Sequence, residues 1–226
     1  MTNKPSPAPM PQQLENKEII LNVRKPIGWT SNDVIRYIKH RFAAKVGHAG
    51  TLDPFADGVL VVCLGKATKR VAELMDLEKE YRATIEFGIE TDTLDMSGKI
   101  VKRDVNLSLS DKQVREVFPL FVGDIQQKPP AFSAVRIDGQ RAYQLARAQK
   151  DLILEKRHVT IYAINMLHYQ HSRATLDVRC GKGTYIRSLA RDMARALGTV
   201  GYVRTLTRTR IGDYHLNQAI SIENIL

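Results

Sequence analysis

The stretch GHAGTLDPFADGVLVVCLG, residues 47–65, decides the fold of this chain. Its first half has two glycines, an Asp-Pro step at Asp53 and no helical or alternating period, which predicts a loop with special backbone geometry. Its second half, residues 58–64, is a continuous apolar run typical of a buried strand. Loops on rigid scaffolds carry many catalytic groups, so Asp53 is a candidate. The spacing alone favours a second role, in which Asp53 caps the turn.

Working outward, short strands and helices flank this stretch on both sides. The predicted strands lie at 18–23, 81–87, 159–169 and 174–179, and the predicted helices at about 34–42, 67–74, 110–121, 142–148 and 186–197. The last helix follows a glycine-rich loop and carries Arg187, Arg191 and Arg195 opposite its apolar face. That stripe is either a solvated face or a surface placed to meet phosphates. The pattern predicts one mixed α/β domain.

Positive charge is concentrated in two stretches. The 226-residue chain has a formal charge of +10. Residues 173–210 contain nine basic and two acidic side chains, and residues 128–157 contain seven basic and three acidic ones. Clustered charge of this kind indicates a polyanionic partner, although a solvated basic surface fits the charge equally well. Residues 128–157 also have few apolar residues, which predicts an excursion from the core, and the proline-rich residues 1–17 are predicted to be a disordered tail.

Several classes of protein are excluded by what the sequence lacks. It has neither an apolar run of about 18 residues nor an N-terminal signal, so we expect neither a membrane protein nor a secreted one. Cys63 and Cys180 form no metal or disulfide pattern, which favours a reducing cytoplasm. The glycine motifs of nucleotide and nicotinamide enzymes and the zinc motif of base deaminases are missing. His168 and His171 flank a turn, and we expect no metal there.

Five blocks follow one another along the chain: KPIGWTSNDV (25–34), GHAGTLDPFADGVLVVCLGKATK (47–69), KEYRATIEFGIETDTLD (79–95), PPAFSAVRIDGQRAY (129–143) and CGKGTYIRSLARD (180–192). Together they resemble the motifs of the TruB family of tRNA pseudouridine-55 synthases, over residues 20–222. The resemblance implies an α/β (α+β) pseudouridine synthase fold, with a mixed, largely antiparallel central sheet flanked by helices. The catalytic domain would be residues 18–226, with residues 128–157 as an RNA-binding thumb insertion. Many bacterial members continue into a C-terminal RNA-binding domain of the PUA type, which we expect to be absent here.

The resemblance also implies an activity. The family isomerises uridine 55 in the T-loop of tRNA to pseudouridine, with no metal or organic cofactor. The expected partner is therefore tRNA, bound through its T-stem loop by a cytoplasmic monomer. The flipped uridine costs a few kcal/mol of unstacking, which contacts to the RNA must offset.

Nine residues match functional positions of the family. By resemblance, Asp53 is the essential aspartate, which attacks the ribose C1′ or acts as a base there, and Arg187 is its basic partner. Tyr81 packs against the target base. Substrate contacts are implied for His48 beside the flipped nucleotide, for Tyr185 and Leu206 in the uridine pocket, and for Lys25, Pro26 and Lys69 near the phosphate backbone or the catalytic loop.

Other interpretations remain open at the level of sequence. Tyr81 also fits a core-facing strand aromatic, and Arg187 a surface residue. An RNA-binding folding chaperone for tRNA would need the basic surface but not the set of Asp53, Tyr81 and Arg187. A hydrolase with paired carboxylates would use Asp53 and Asp57, and substitution of Asp57 separates that alternative from a synthase.

Overall fold

The structure is a computed structural model that describes residues 17–42, 44–137, 139–148 and 153–225. The chain divides into unit 1, residues 1–79 and 207–226, and unit 2, residues 80–206. Of the tail predicted at residues 1–17, only Lys17 is among the described residues. Asp138, in a predicted hairpin turn, also lies outside them.

The described residues form five α-helices and fourteen strands. The helices are α1 (Ser31–Phe42), α2 (Val71–Asp76), α3 (Asp111–Glu116), α4 (Ala142–Arg147) and α5 (Ile186–Ala196). The strands are β1 (Glu18–Lys25), β2 (Val46–His48), β3 (Asp57–Gly65), β4 (Lys79–Phe87), β5 (Ile89–Thr91), β6 (Ile100–Arg103), β7 (Gly123–Gln127), β8 (Arg136–Ile137), β9 (Gln140–Arg141), β10 (Arg157–Gln170), β11 (Arg173–Cys180), β12 (Gly201–Ile211), β13 (Tyr214–His215) and β14 (Ile220–Ser221).

Unit 1 is built around β3. Strand β1 pairs with it in antiparallel fashion, β2 also pairs antiparallel, and the residues of β12 from Thr207 onward pair parallel to its start. The run that the sequence predicts as a buried strand is covered on both faces. Residues 60, 62 and 64 pack with Val34 and Ile38 of α1, whereas residues 59, 61 and 63 pack with Leu74 of α2. Two covered faces explain why residues 59–64 of β3 are apolar at every position.

In unit 2 the strands follow the order β12, β4, β11, β10, β7, and β12 contributes residues 201–206. Strands β10 and β11 form a long antiparallel hairpin, and β7 pairs antiparallel with β10. Helix α5 lies very close to β12. A Cβ atom placed on Gly201 would be only 2.9 Å from the Cβ of Ala194. Gly198, with φ +74°, ends the helix, as the sequence predicts.

The predicted mixed, largely antiparallel sheet flanked by helices is confirmed. Two local predictions need correction. Residues 46–48, predicted as loop, form β2, because their backbone pairs with the edge of β3 in a strand too short to show a period. Helix α3 starts at the predicted Ser110 capping box but ends at Glu116, ahead of Pro119, which lacks the N–H that an α-helix needs.

The helices also bear on the expectation that this is not a membrane protein. Of the helices in the described part of the chain, none combines the length and apolar character needed to span a bilayer.

Candidate active site

We define the Asp53 loop as residues 49–57, which connect β2 to β3 and include Asp57, the first residue of β3. The side chain of Arg208 joins the two ends of this loop. This side chain is almost fully buried, with 1% of its surface exposed. Its Nε donates a hydrogen bond to the Val59 carbonyl at 2.7 Å. Its two Nη atoms donate to the carbonyls of Thr51 and Gly50, at 3.3 and 3.1 Å. One guanidinium therefore joins the chain entering the loop to the chain leaving it.

Gly58 allows the end of the Asp53 loop to approach the backbone of Arg208. Gly58 has φ +118°, and a Cβ atom placed on it would lie 2.3 Å from the Arg208 carbonyl oxygen. Only glycine lets the start of β3 run this close to β12 at that backbone conformation. Gly58, the third glycine of the stretch 47–65, is therefore required where the loop joins β3.

The connection from β1 to α1 supports the other side of the Asp53 loop. The Gly28 N–H donates to the Pro54 carbonyl at 2.8 Å. The buried Ser31 hydroxyl accepts from the Leu52 N–H at 2.9 Å and donates to the Leu52 carbonyl at 3.1 Å. The half-buried Asp53 therefore stands between two residues whose backbones are held by the neighbouring segment.

Lys25 is a buried cation at the start of that segment, with none of its surface exposed. Its Nζ donates to the carbonyls of Pro26 and Trp29, at 2.8 and 2.7 Å. Burial lowers the pKa of Lys25 to about 8, although the Asp57 and Asp53 carboxylates act in the opposite direction. The structure thus brings Lys25, Pro26 and Asp53 into one neighbourhood.

Asp57, the second carboxylate of the loop, is occupied by structural contacts. It accepts hydrogen bonds from Arg24 Nη2 at 2.8 Å and from Thr207 Oγ1 at 2.6 Å. Both of its oxygens therefore brace the loop against β1 and β12. This arrangement argues against a hydrolase that would use Asp53 and Asp57 as an acid and base pair.

The other two residues predicted for unit 1 differ in their surroundings. His48 is half-buried on β2, and burial together with the charge of Arg208 lowers its pKa, so the imidazole is held neutral at pH 7. Its Nδ1 atom is buried without a hydrogen-bond partner among the described residues. Lys69 is exposed on a short 3₁₀ helix, Lys66–Arg70. Within the described ranges, no group of three or more metal-ligating side chains comes together.

In unit 2, Arg187 is buried in the first turn of α5, with 3% of its surface exposed. It donates to the carbonyls of Thr93 and Phe132, both at 2.9 Å. Its Nη1 also lies 3.4 Å from Oδ2 of Asp95, a carboxylate that is itself 4% exposed. The alternative of a surface arginine is therefore wrong. Its predicted partner, Asp53, belongs to unit 1, and that pairing stays a prediction.

Asp95 is a functional candidate that the sequence reasoning missed. Its side chain accepts hydrogen bonds from the Thr93 hydroxyl at 2.9 Å and from both the N–H and the hydroxyl of Ser97. The turn therefore orients a buried carboxylate toward Arg187. The available signal was the acid at the end of the block 79–95, within a turn-rich stretch.

The predicted arginine stripe on α5 is wrong for two of its three members. Arg191 is 9% exposed, and it donates to the Lys128 carbonyl at 3.0 Å and to the Asp192 carboxylate at 2.8 Å. The buried guanidinium groups of Arg187 and Arg191 each donate to a carbonyl of the segment 127–132, and Thr93 and Asp192 accept further hydrogen bonds from them. Only Arg195 remains exposed.

The remaining residues predicted for unit 2 lie on three elements. Tyr81 belongs to the buried row of β4 and is 8% exposed, and Leu206 is buried on β12. Tyr185 directly precedes α5, and its N–H donates to Oε1 of the buried Gln127 at 2.8 Å. The Tyr185 ring packs against a small apolar cluster that includes Val135 and Leu154. The beginning of α5 is thus tied to the segment that precedes residues 133–157.

Comparison with known proteins gives a consistent result. Residues 38–186 match the model of the TruB family pseudouridylate synthase N-terminal domain. A tRNA pseudouridine synthase B of Bordetella pertussis is 44% identical over 207 residues, covering 90% of this chain and 85% of the relative. The protein of the same name from Caldanaerobacter subterraneus is 42% identical over 208 residues, covering 91% and 73%.

Solved structures resemble the same part of the chain. The crystal structure of a Cbf5-Nop10-Gar1 complex contains a chain with TM-score 0.71 and 30% identity, over 91% of this chain and 53% of that one. An H/ACA RNP bound to a substrate RNA containing 2′-deoxyuridine gives TM-score 0.68 and 28% identity, over 91% and 51%. The chain spans about half the length of these two structural relatives.

Proposed function

The chain belongs to the TruB family of pseudouridylate synthases, and from that premise we propose that it converts uridine 55 in the T-loop of tRNA to pseudouridine. The coarser activity, pseudouridine synthesis in tRNA, is that of the relatives named above, which align with nine-tenths of the chain. The observation that carries the proposal is the Asp53 loop. Its carboxylate is half-exposed, while the residues around it are hydrogen-bonded to Arg208 and to the connection between β1 and α1.

The reaction is an isomerisation that balances without a second reactant. The N1–C1′ bond breaks, the C5–C1′ bond forms, the proton on C5 leaves and N1 gains a proton. In this proposal Asp53 attacks C1′ or removes a proton from the ribose, and either role needs an ionised carboxylate. Arg187 favours that ionised form by its positive charge, and Asp95 keeps the guanidinium oriented.

The other residues of the site are proposed to hold the nucleotide. Tyr81 stacks on the target base, and Tyr185 with Leu206 forms the walls of its pocket. His48 occupies the position that the flipped base leaves. A neutral imidazole suits that place, because it adds no charge beside the buried Arg208. Lys25, Pro26 and Lys69 support the phosphate backbone or the catalytic loop.

The proposed partner is the T-stem loop of tRNA, bound by a monomer in the cytoplasm. The basic stretches 128–157 and 173–210 suit a phosphate backbone, and RNA is commonly recognised by shape and by splayed bases. Residues 128–157 are proposed to act as the thumb of the catalytic domain, 18–226. Their attachment to the first turns of α5 supports a rigid base for that thumb.

Tritium release from tRNA labelled at C5 of uridine tests the proposal. The wild type is expected to release tritium from the T-loop, and Asp53→Asn is expected to release none while its Kd for tRNA stays nearly the same. Asp57→Asn is the matched control, because it alters the other carboxylate of the loop and keeps one oxygen acceptor, which Arg24 or Thr207 can use. It should retain most of the activity.

Each competing function predicts a different pattern. Tight tRNA binding with no tritium release by the wild type would favour a folding chaperone. Equal loss of activity in Asp53→Asn and Asp57→Asn, with unchanged melting temperatures, would favour a mechanism with two carboxylates. Parallel loss of binding and activity in Asp53→Asn would remove its assignment as a catalytic residue.

A further inference from the structure

Unit 1 contains a cleft that the proposed reaction does not use. Its volume is about 420 Å³, within the range of pockets that hold small ligands. The cleft is lined by Gly28, Trp29, Asp33, Arg36 and Tyr37, and we call it the Trp29–Tyr37 cleft. It is large enough for one nucleoside.

Two aromatic rings give this cleft its character. The ring centroids of Trp29 and Tyr37 are 5.9 Å apart, and the planes meet at 70°. Both residues are half-buried against the core between α1 and β3. Among the described residues, neither the indole N–H nor the phenol hydroxyl has a hydrogen-bond partner. Stacking surface and unused polar groups are therefore available together.

The surroundings of the cleft are positively charged. The Arg41 guanidinium lies over the Tyr37 ring, 5.0 Å from its centroid. Arg36, Lys39 and His40 are exposed on the same helix, whereas the carboxylate of Asp33 is already paired with Arg36. An aromatic cleft inside a basic surface is the combination that proteins use for unpaired bases of RNA.

The cleft is fixed directly beside the Asp53 loop. Its wall residue Gly28 donates to the carbonyl of Pro54, the residue after Asp53. The backbone of Trp29 is held by the Lys25 ammonium at 2.7 Å. An RNA strand that presents a uridine to Asp53 must therefore run close to the cleft.

We propose that the Trp29–Tyr37 cleft binds an unpaired base of the substrate RNA, near the nucleotide that reacts at Asp53. The inference rests on the proposed function for the identity of the RNA. The base stacks against an aromatic ring and hydrogen-bonds to the indole N–H or the Tyr37 hydroxyl. The basic side chains of α1 contact the adjoining phosphates.

The sequence offers a direct reporter, because Trp29 is the single tryptophan of the chain. Titration of the full chain with an unmodified tRNA transcript is expected to quench tryptophan emission in a saturable way. Loss of base stacking typically weakens binding by about 5- to 150-fold. We expect this increase in Kd for Trp29→Leu, and less than about 3-fold for Trp29→Phe, which keeps an aromatic face.

Tyr162→Leu is the matched control. Tyr162 is an exposed aromatic with the Arg179 guanidinium 5.2 Å from its ring centroid, but it does not line the cleft. Its replacement should leave the Kd for tRNA unchanged. Melting curves of all three variants separate loss of binding from loss of folding, since Trp29 also packs on the core.

Unchanged tryptophan emission at saturating tRNA would overturn the proposal, as would a wild-type Kd for Trp29→Leu. Quenching by a synthetic peptide of the proline-rich residues 3–13, with none by tRNA, would assign the cleft to a peptide and overturn it as well. Failure of the proposed function is distinguishable, because it appears as missing tritium release from the wild type while tRNA still quenches Trp29.

Discussion

Replacement of Arg208 by methionine tests whether one buried guanidinium holds the Asp53 loop. The change removes three hydrogen bonds from a charged donor, to Val59, Thr51 and Gly50. Bonds of this kind contribute about 1.5 kcal/mol or more each, and the longest of the three contributes less. We therefore expect a loss of about 3–4 kcal/mol in the free energy of unfolding, or roughly 10 °C in Tm for a chain of this size.

The assay is thermal and urea unfolding of Arg208→Met, Arg208→Lys and a surface control. Lysine keeps the charge but cannot reach three carbonyls with its compact ammonium, so an intermediate loss is expected. The control is Arg70→Met, whose ion pairs with Glu73 and Glu18 are exposed and screened by solvent, so little loss of stability is expected. A Tm of Arg208→Met within about 2 °C of the Arg70→Met value would refute the reasoning.

A second readout follows from the same substitution. The charge of Arg208 is one of the causes that lower the pKa of His48. Removal of that charge should therefore raise the His48 pKa toward its ordinary value, which an NMR titration of the imidazole measures. An unchanged His48 pKa would show that burial alone sets it.

Two further predictions concern charge. The pKa of Lys25 is lowered from 10.5 to about 8, so between those pH values the unfolded chain binds a proton that the folded chain has lost. The free energy of unfolding should consequently rise with pH across that window, by up to about 3 kcal/mol relative to Lys25→Met. A difference between the two proteins in urea unfolding that does not change with pH would contradict this. Arg195→Ala should weaken tRNA binding and lower by about one the slope of log K against log salt concentration. Arg191→Ala should lower Tm and leave that slope unchanged. Equal slopes in both variants would remove α5 from the RNA-binding surface.

The sequence predicts the scaffold of the site better than its interior. The glycines, the Asp-Pro step and the apolar run define the Asp53 loop and β3, because turn chemistry and burial act locally. Arg208 escapes such reasoning, since arginine is ordinarily a surface residue, although its place two residues after the buried Leu206 puts it on the same face of the strand. Its burial depends on carbonyls about 150 residues away in the chain.

The arginines of α5 illustrate the same limit. Their spacing correctly places them on one side of an amphipathic helix, but spacing does not reveal what covers that side. The carbonyls of Lys128 and Phe132 accept hydrogen bonds from Arg191 and Arg187, and so turn an expected solvated face into an interior one.

The attachment of residues 127–132 to α5 marks a boundary in the chain at Phe132. Tyr185, Arg187, Ser188 and Arg191 all bond to that short segment, so the anchor is complete before residue 133. We expect changes in the segment beyond it to leave the buried guanidinium of Arg187 in place, whereas loss of Val135 or Leu154 would remove the apolar cluster on which the Tyr185 ring packs. A graft that begins after Phe132 therefore keeps the hydrogen bonds to Arg187 and Arg191, and this position is the natural junction for exchanging the segment that follows.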